Sequence, residues 1–313
     1  MTIQIRLASL DDIEEIVGIH CSSIDKWFKY VDGKKIQAKY EELSIAERWA
    51  HGGPWMSIET CAVHVNYILT WGHYPLVAVL DNRVVGELEL YIGYESDPLY
   101  HHGFIDVLEV HKEFRRRGIG RRLVKKAIEI SREKNCNSIA VWPDPNAVEF
   151  YKKCGINKIA FHVKYIKLDL SNIRSLNPES LSIKRFPVSY DELKNWVFVS
   201  PRILSSFVTW IKSRWRYAVE ENIVVRFEAL LPQYDTAFII KSMWMNRSEA
   251  NLYWWIKDLD SFPQTMEIIL GIAKYLGFNA IRLSVNEKIY NKYITNHKHE
   301  ILNEYLVLFK ELK

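Results

Sequence analysis

Between Glu113 and Leu123 the chain reads EFRRRGIGRRL, with five arginines around two glycines, Gly118 and Gly120. An amphipathic stretch follows at once. The first N–H groups of a helix have no acceptor within the helix, and they sit at the positive end of its dipole. A glycine turn that opens such a helix suits phosphate, because an anion can approach the backbone with no side chain in between. Arg115, Arg116, Arg117 and Arg121 add charge and forked donors. The expected chemistry is therefore recognition of a phosphorylated ligand. A Walker A loop does not fit, because it needs G-x-x-x-x-G-K-[ST]. A dinucleotide fingerprint fails as well, because Leu123 stands where its third glycine belongs.

The elements around this loop set its context. Residues 3–9 alternate apolar and polar, as a strand should, and residues 9–20 carry helical spacing after Ser9. Residues 34–69 read as mostly helical, interrupted at HGGPWM (51–56). Residues 75–93 read as two strands around a turn at Asp81-Asn82, and 103–110 as a further strand. A helix over 120–134, a strand over 138–143, a short helix over 146–155 and one or two strands over 158–170 complete the pattern. His101 and His102 are expected in an exposed turn, with no further ligands at metal spacing. The order is mixed α/β, and no metal site is expected.

The pattern R-x-x-G-x-G, Arg115 to Gly120, resembles the acetyl-CoA loop of the GCN5-related N-acetyltransferases (the GNAT family). NAVEFYKKCGI (146–156) is similar to a second signature of that family. The resemblance covers about residues 1–170. It implies a GNAT fold, acetyl-CoA as cosubstrate, and direct transfer of acetyl to a primary amine. It implies coenzyme contacts from Leu108, Glu109, Val110, Arg115, Arg116, Arg117, Gly118, Ile119, Gly120, Arg121 and Asn146. The family often has asparagine where this chain has Asp144, so Asn146 stands as the nearby substitute. The Val110 N–H would polarise the thioester carbonyl. Tyr151 matches the general-acid position, where a phenol stays protonated at neutral pH.

The general base has no such match. Phe104 occupies the place where some members of the family carry glutamate. Asp106, two residues on, shares that strand face and is the candidate base; Glu87 and Glu89 are its rivals. The HGGPWM turn is expected to wall the acceptor cleft with Trp55. A non-catalytic acyl-CoA-binding or regulatory protein on the same fold is the alternative function. An RNA-binding role would use the same arginines, but the phosphates of coenzyme A already account for them.

Composition bounds the rest. The chain has 313 residues, with 42 basic and 38 acidic ones, and the resulting net charge of +4 does not by itself imply nucleic acid. Four separated cysteines without C-x-x-C spacing suggest reduced thiols in a cytoplasmic protein, and no apolar run approaches membrane-spanning length. Residues 171–180 are polar, contain Pro178, and read as a linker. Residues 181–313 faintly repeat the first half. A shift of 142 lays Ile139 on Ile281 and Tyr151 on Tyr293, but sets Asp260 and Phe262 opposite Gly118 and Gly120. A duplicated fold is expected, whose second GNAT-like copy has lost the coenzyme. Its expected work is to pack on the first, shape the substrate cleft or mediate a homodimer.

Overall fold

The computed structural model describes residues 3–31, 34–199, 205–221, 223–244 and 246–312. The first half runs β1 (Gln4–Leu7), α1 (Ile13–Cys21), β2 (Trp27–Val31), β3 (Lys34–Ala38), α2 (Ile45–Trp49) and α3 (Ile58–Thr70). It continues with β4 (Tyr74–Leu80), β5 (Arg83–Tyr94), β6 (His101–Val110), α4 (Ile119–Glu133), β7 (Ser138–Val141), α5 (Val148–Lys153) and β8 (Lys158–Asp169). The second half contains β9 (Val197–Phe198), α6 (Ser206–Arg214), β10 (Arg226–Leu231), β11 (Thr236–Ser242) and β12 (Glu249–Ile256). After these come α7 (Phe262–Tyr275), β13 (Ala280–Asn286), α8 (Glu287–Ile289) and β14 (His299–Glu311).

Local chemistry explains several of these boundaries. Asp81 and Asn82 both take positive φ, 50° and 62°, which gives the two-residue hairpin turn that joins β4 to β5. Ser44 accepts from the Glu47 N–H while the Glu47 carboxylate accepts from Ser44, and this capping box starts α2. Residues 34–38 depart from the helical expectation: they form β3, paired with β2 from Trp27↔Ala38 to Val31↔Lys34. The His51 ring packs on Trp27 and Phe28 of this hairpin at 4.6 and 4.2 Å, a long-range contact that outweighs local helix propensity. His101 and His102 also depart, since both belong to β6. His102 is buried, and burial pulls its imidazole down to about 4.

One mixed sheet joins both halves, in the order β1-β4-β5-β6-β7-β14-β8-β13-β12-β11-β10, with β9 on β12. The last strand of the chain therefore lies between two strands of the first half. It pairs with β7 from Leu308↔Val141 to Glu311↔Ser138 and with β8 along most of its length. In return β8 pairs with β13 from Ala280↔Asp169 to Asn286↔Val163. Residues 171–177 form neither helix nor strand, and in the sheet the two halves interlock through β8 and β14. The offset between equivalent elements is close to 142 residues: β7 begins at Ser138 and β13 at Ala280.

A shared core closes the interface. Tyr91, Phe104 and Ala140 from the first half pack with Trp210, Ile211, Trp215 and Trp255 from the second. Helix α6 lies against β5, where a Cβ on Gly93 would come within 2.3 Å of the Phe207 ring. Only glycine permits that approach. Buried Glu95 receives the Ser206 N–H at the first turn of α6, and burial raises its carboxyl to about 7.

A chain ended before His299 should lose its first half along with β14, because β7 and β8 would face each other across an empty strand position. Thermal unfolding followed by circular dichroism should show no cooperative transition for residues 1–298. A truncated chain that retained wild-type Tm would show that the exchanged strand is dispensable.

Candidate active site

The site begins with a defect in a strand. Pairing of β5 with β6 runs Glu87↔Glu109 and Glu89↔Val107, then shifts to Leu90↔Ile105, leaving Asp106 as an extra residue. The parallel pairing of β6 with β7 ends at the same place, with Ile105↔Val141. Beyond the bulge β6 presents an edge not paired to β7. The His111 N–H bonds to Val85 O on β5 at 3.0 Å, so by the alternation of strand groups the Val110 N–H points away from β5. The Glu109 backbone faces β5, so Leu108 and Val110 supply the open edge.

Beside that edge lies a cavity of about 740 Å³. Leu108, Glu109, Val110, Arg115, Arg116, Gly118, Ile119, Gly120, Arg121 and Asn146 line it. Asp144, at the position where the family often has asparagine, also lines it, and Phe114, Ala147 and Phe150, which the motif reading did not single out, complete the wall. Arg117 is not part of it; its guanidinium donates to Glu113 O at 3.2 Å and lies over the Phe114 ring.

Helix α4 opens on the cavity without a side-chain cap and without an acid in its first turn. Gly118, its N-cap, has φ of 79°, a conformation that disfavours any residue with a Cβ. A Cβ on Gly120 would come within 3.2 Å of the Phe150 ring, so that glycine keeps the cradle open. Arg115 bonds to Val110 O, Glu109 and Ser23, and so ties the loop to β6 and to the end of α1. Tyr151 is buried edge-on to Phe150, with ring centroids 5.0 Å apart. Burial raises its phenol well above the ordinary value, and Cys154 and Glu109 add to the effect. It therefore stays protonated at neutral pH.

The second half is built the same way but filled. At the equivalent edge of β12, β9 pairs as Trp255↔Phe198 and Ile256↔Val197, and the Val199 N–H bonds to Trp254 O at 2.9 Å. Phe262, at the start of α7, stacks between Trp254 and Tyr293 at 4.3 and 4.5 Å. The Asp258 side chain accepts from the Asp260 N–H just ahead of that helix. The volume is occupied by aromatic rings, and a carboxylate stands at the helix entrance.

On the face of β5 and β6 shared with Glu109, side chains from both halves make a buried polar cluster. The Glu89 carboxylate accepts from Trp55 Nε1, Tyr91 Oη and His64 Nε2, all at 2.8 Å. Lys212 of α6 pairs with Asp106 and lies 3.7 Å from Glu89. His64 Nδ1 lies 2.7 Å from Tyr217 Oη, also from the second half. Glu87 pairs with His20 Nε2 at 2.5 Å. Burial works to raise the Glu89 carboxyl, but the charges of His64 and Lys212 hold it below the usual range. At Asp106 burial dominates and raises the carboxyl, against the pull of Lys212. Burial would lower the Lys212 ammonium, yet Asp106 and Glu89 hold it above its ordinary value.

Asp106 thus sits in an ion pair and does not line the cavity. Trp55 stands over the cluster, stacked on His20 at 5.3 Å. Lys212 and Tyr217 carried no sequence signal of their own, because only the docking of α6 brings them here. Among the described residues no group of three or more His, Cys, Asp or Glu could hold a metal ion, and no helix is long and apolar enough to cross a membrane.

The comparisons with known proteins agree with this geometry. Residues 36–156 match the model of the acetyltransferase (GNAT) family. A GCN5-related N-acetyltransferase from Anabaena variabilis superposes with a TM-score of 0.63, at 10% identity, over 100% of this chain and 73% of that one. One from Kribbella flavida gives 0.61, at 11% identity, over 99% and 72%. A tandem GNAT protein from the clavulanic acid biosynthesis pathway gives 0.51, at 13% identity, over 100% and 99%. At these identities the likeness to the solved structures is one of fold. Residues 36–156 thus match a GNAT acetyltransferase domain, and the architecture of the chain is the GNAT fold in duplicate.

Lys212→Met should destabilise the protein by about 3–5 kcal/mol at pH 7, because it leaves buried carboxylate charge without a cation. The loss should shrink as pH falls and the carboxyls take up protons. Adding Asp106→Asn should recover much of it. Urea denaturation of the single and double variants at pH 7 and 5 measures this; equal stability of wild type and Lys212→Met would remove the ion pair from the account.

Proposed function

We propose that this protein is an acetyl-CoA-dependent N-acetyltransferase that transfers acetyl to a primary amine, with its one coenzyme site in the first half. The observation that carries the reading is the meeting, in a single cavity, of an unpaired strand edge with an uncapped, arginine-flanked helix N-terminus. The edge accepts an extended chain of amides as an added strand would. The helix terminus accepts phosphate. Acetyl-CoA has both parts in sequence, and its thioester supplies the activated acetyl group.

Each residue then has definite work. Backbone N–H groups at the start of α4, with Arg116 and Arg121, hold the pyrophosphate. Leu108 and Val110 pair with the pantetheine amides. The Val110 N–H polarises the carbonyl that the amine attacks. Tyr151 donates its proton to the departing sulfur, and its buried, raised phenol favours donation over ionisation. Trp55 and the buried carboxylates form the side from which an amine approaches.

Titration calorimetry should give one acetyl-CoA site per chain, since the equivalent edge in the second half is covered by β9. Gly120→Glu should abolish binding by placing bulk against Phe150 and negative charge in the cradle. Two equivalent sites, or unchanged binding in the variant, would put the coenzyme elsewhere.

Tyr151→Phe should lower kcat by about 10²-fold with acetyl-CoA affinity nearly unchanged, the usual size of general-acid assistance. Steady-state thiol release from acetyl-CoA with a panel of primary amines measures it. A variant with wild-type kcat and pH profile would take Tyr151 out of the mechanism.

A further inference from the structure

The three buried carboxylates on the acceptor-side face are not equivalent. Glu89 is saturated by Trp55, His64 and Tyr91, with Lys212 beside it. Asp106 is paired to Lys212. One ammonium therefore serves two carboxylates, and Glu87 has no permanent cation. Its Oε2 meets His20 Nε2, while its Oε1 is buried with no hydrogen-bond partner among the described residues. Burial raises the Glu87 carboxyl, His20 opposes this, and the Glu89 charge adds to it. A positive charge arriving at His20 would relieve that strain.

His20 is placed to receive one. Its Nε2 is committed to Glu87, and Nδ1 makes no hydrogen bond among the described residues. The ring is held against Trp55 at 5.3 Å, and its side chain remains 10% exposed. The end of α1 is pinned to the cavity rim. Ser23 Oγ donates to Glu109 at 2.9 Å and accepts from Arg115, and Ser22 Oγ accepts from the Lys112 N–H at 3.1 Å. Glu87 stands directly opposite cavity-lining Glu109 on the adjacent strand. Glu87 is thus one strand away from a residue that lines the cavity.

We propose that His20 is the catalytic proton acceptor for the incoming amine, and that Glu87 is its positioning residue. This rests on the transferase reading above. Glu87 accepts the Nε2 proton and leaves the lone pair on Nδ1. The amine nitrogen bonds to the thioester carbonyl carbon and the carbon–sulfur bond breaks. An ammonium substrate first gives its extra proton to solvent; the proton that the neutral amine loses as the amide forms goes to His20 Nδ1, sulfur takes one from Tyr151, and solvent returns the Tyr151 proton. The imidazolium then neutralises Glu87 until solvent removes its proton. The charged and titratable groups around His20 are Glu87 and Glu89 from β5, Glu109 and its partner Arg115 from β6 and the loop after it, Arg48 from α2 near Cys21, and Cys61 and His64 from α3. Both arginines are engaged: Arg115 with Glu109 and Arg48 with Tyr40, through its backbone O and over its ring. The buried charge next to His20 is therefore negative, and it favours an acceptor that arrives as a cation.

The test uses the full chain, acetyl-CoA, and phenethylamine and putrescine as probe amines. Wild-type kcat/KM should fall on the acid side. His20→Gln should lose about 10²-fold at neutral pH together with that limb, with acetyl-CoA affinity unchanged by calorimetry. Added imidazole should restore part of the rate of His20→Ala. Glu87→Gln should keep the limb but displace it. Nitrogen NMR of the wild type above neutrality should show His20 protonated at Nε2 and bare at Nδ1, a readout independent of activity and of how the variants fold. An Nδ1–H tautomer, or an unchanged acid limb in His20→Gln, overturns the proposal and leaves the transferase reading standing. A wild type that binds acetyl-CoA but acetylates neither amine nor any other in a broad panel overturns both.

Discussion

Asp106 is one residue too many for its strand, and the rest of the site depends on that. A strand with an extra residue cannot stay in register with both neighbours. Here β6 keeps its pairing with β5 and gives up its pairing with β7, so an open edge appears inside the sheet. The same bulge turns a carboxylate into the protein interior, where a charge is tolerated only with a partner. Lys212 supplies the partner, and Lys212 is on α6 of the second half. One inserted residue thus opens the strand edge and buries a carboxylate that Lys212 of the second half meets.

The two halves use one architecture for opposite ends. In the first, glycines at 118 and 120 and an uncapped helix keep a volume empty and electropositive. In the second, three stacked aromatic rings and a short strand from the same chain fill the corresponding place. A filled cleft contributes apolar burial, roughly 25 cal/mol for each Å² removed from water, and an empty one does not. The second half therefore gains rigidity where the first keeps room for a ligand. It returns that rigidity through β14, which stands between β7 and β8, and through α6, whose Gly93 contact and Glu95 bond hold it on β5.

The buried carboxylates of β5 and β6 illustrate how placement divides labour among like groups. Glu89, Asp106 and Glu87 lie on neighbouring strands, are all buried, and differ only in what meets them. Four groups surround Glu89, one cation meets Asp106, and one imidazole meets Glu87. Saturation makes the first structural, and pairing does the same for the second. The third keeps an unmet oxygen, and in a medium of low dielectric that is where an arriving proton changes the energy most.

The phosphate-type loop, the helix behind it, the strands around Asp81-Asn82 and the duplication were legible from residues alone. Each is written in local rules: glycine where the backbone must be bare or left-handed, periodicity for helix and strand, and a repeat at a constant offset. Leu108, Glu109, Val110 and Asn146 were named through the resemblance to the GNAT family, and they line the same cavity as the glycine loop. What local rules could not contain were contacts between distant segments. Residues 34–38 form a strand because they pair with β2, on which His51 packs. His102 entered the interior because β6 continues through it. Asp106 was readable as a carboxylate on the correct face but not as half of an ion pair, because its partner is 106 residues away. The sequence by itself determined an arginine-rich glycine loop that opens a helix. Only the tertiary structure decided which carboxylates are occupied and which half stays open, because a buried charge takes its state from what surrounds it in space.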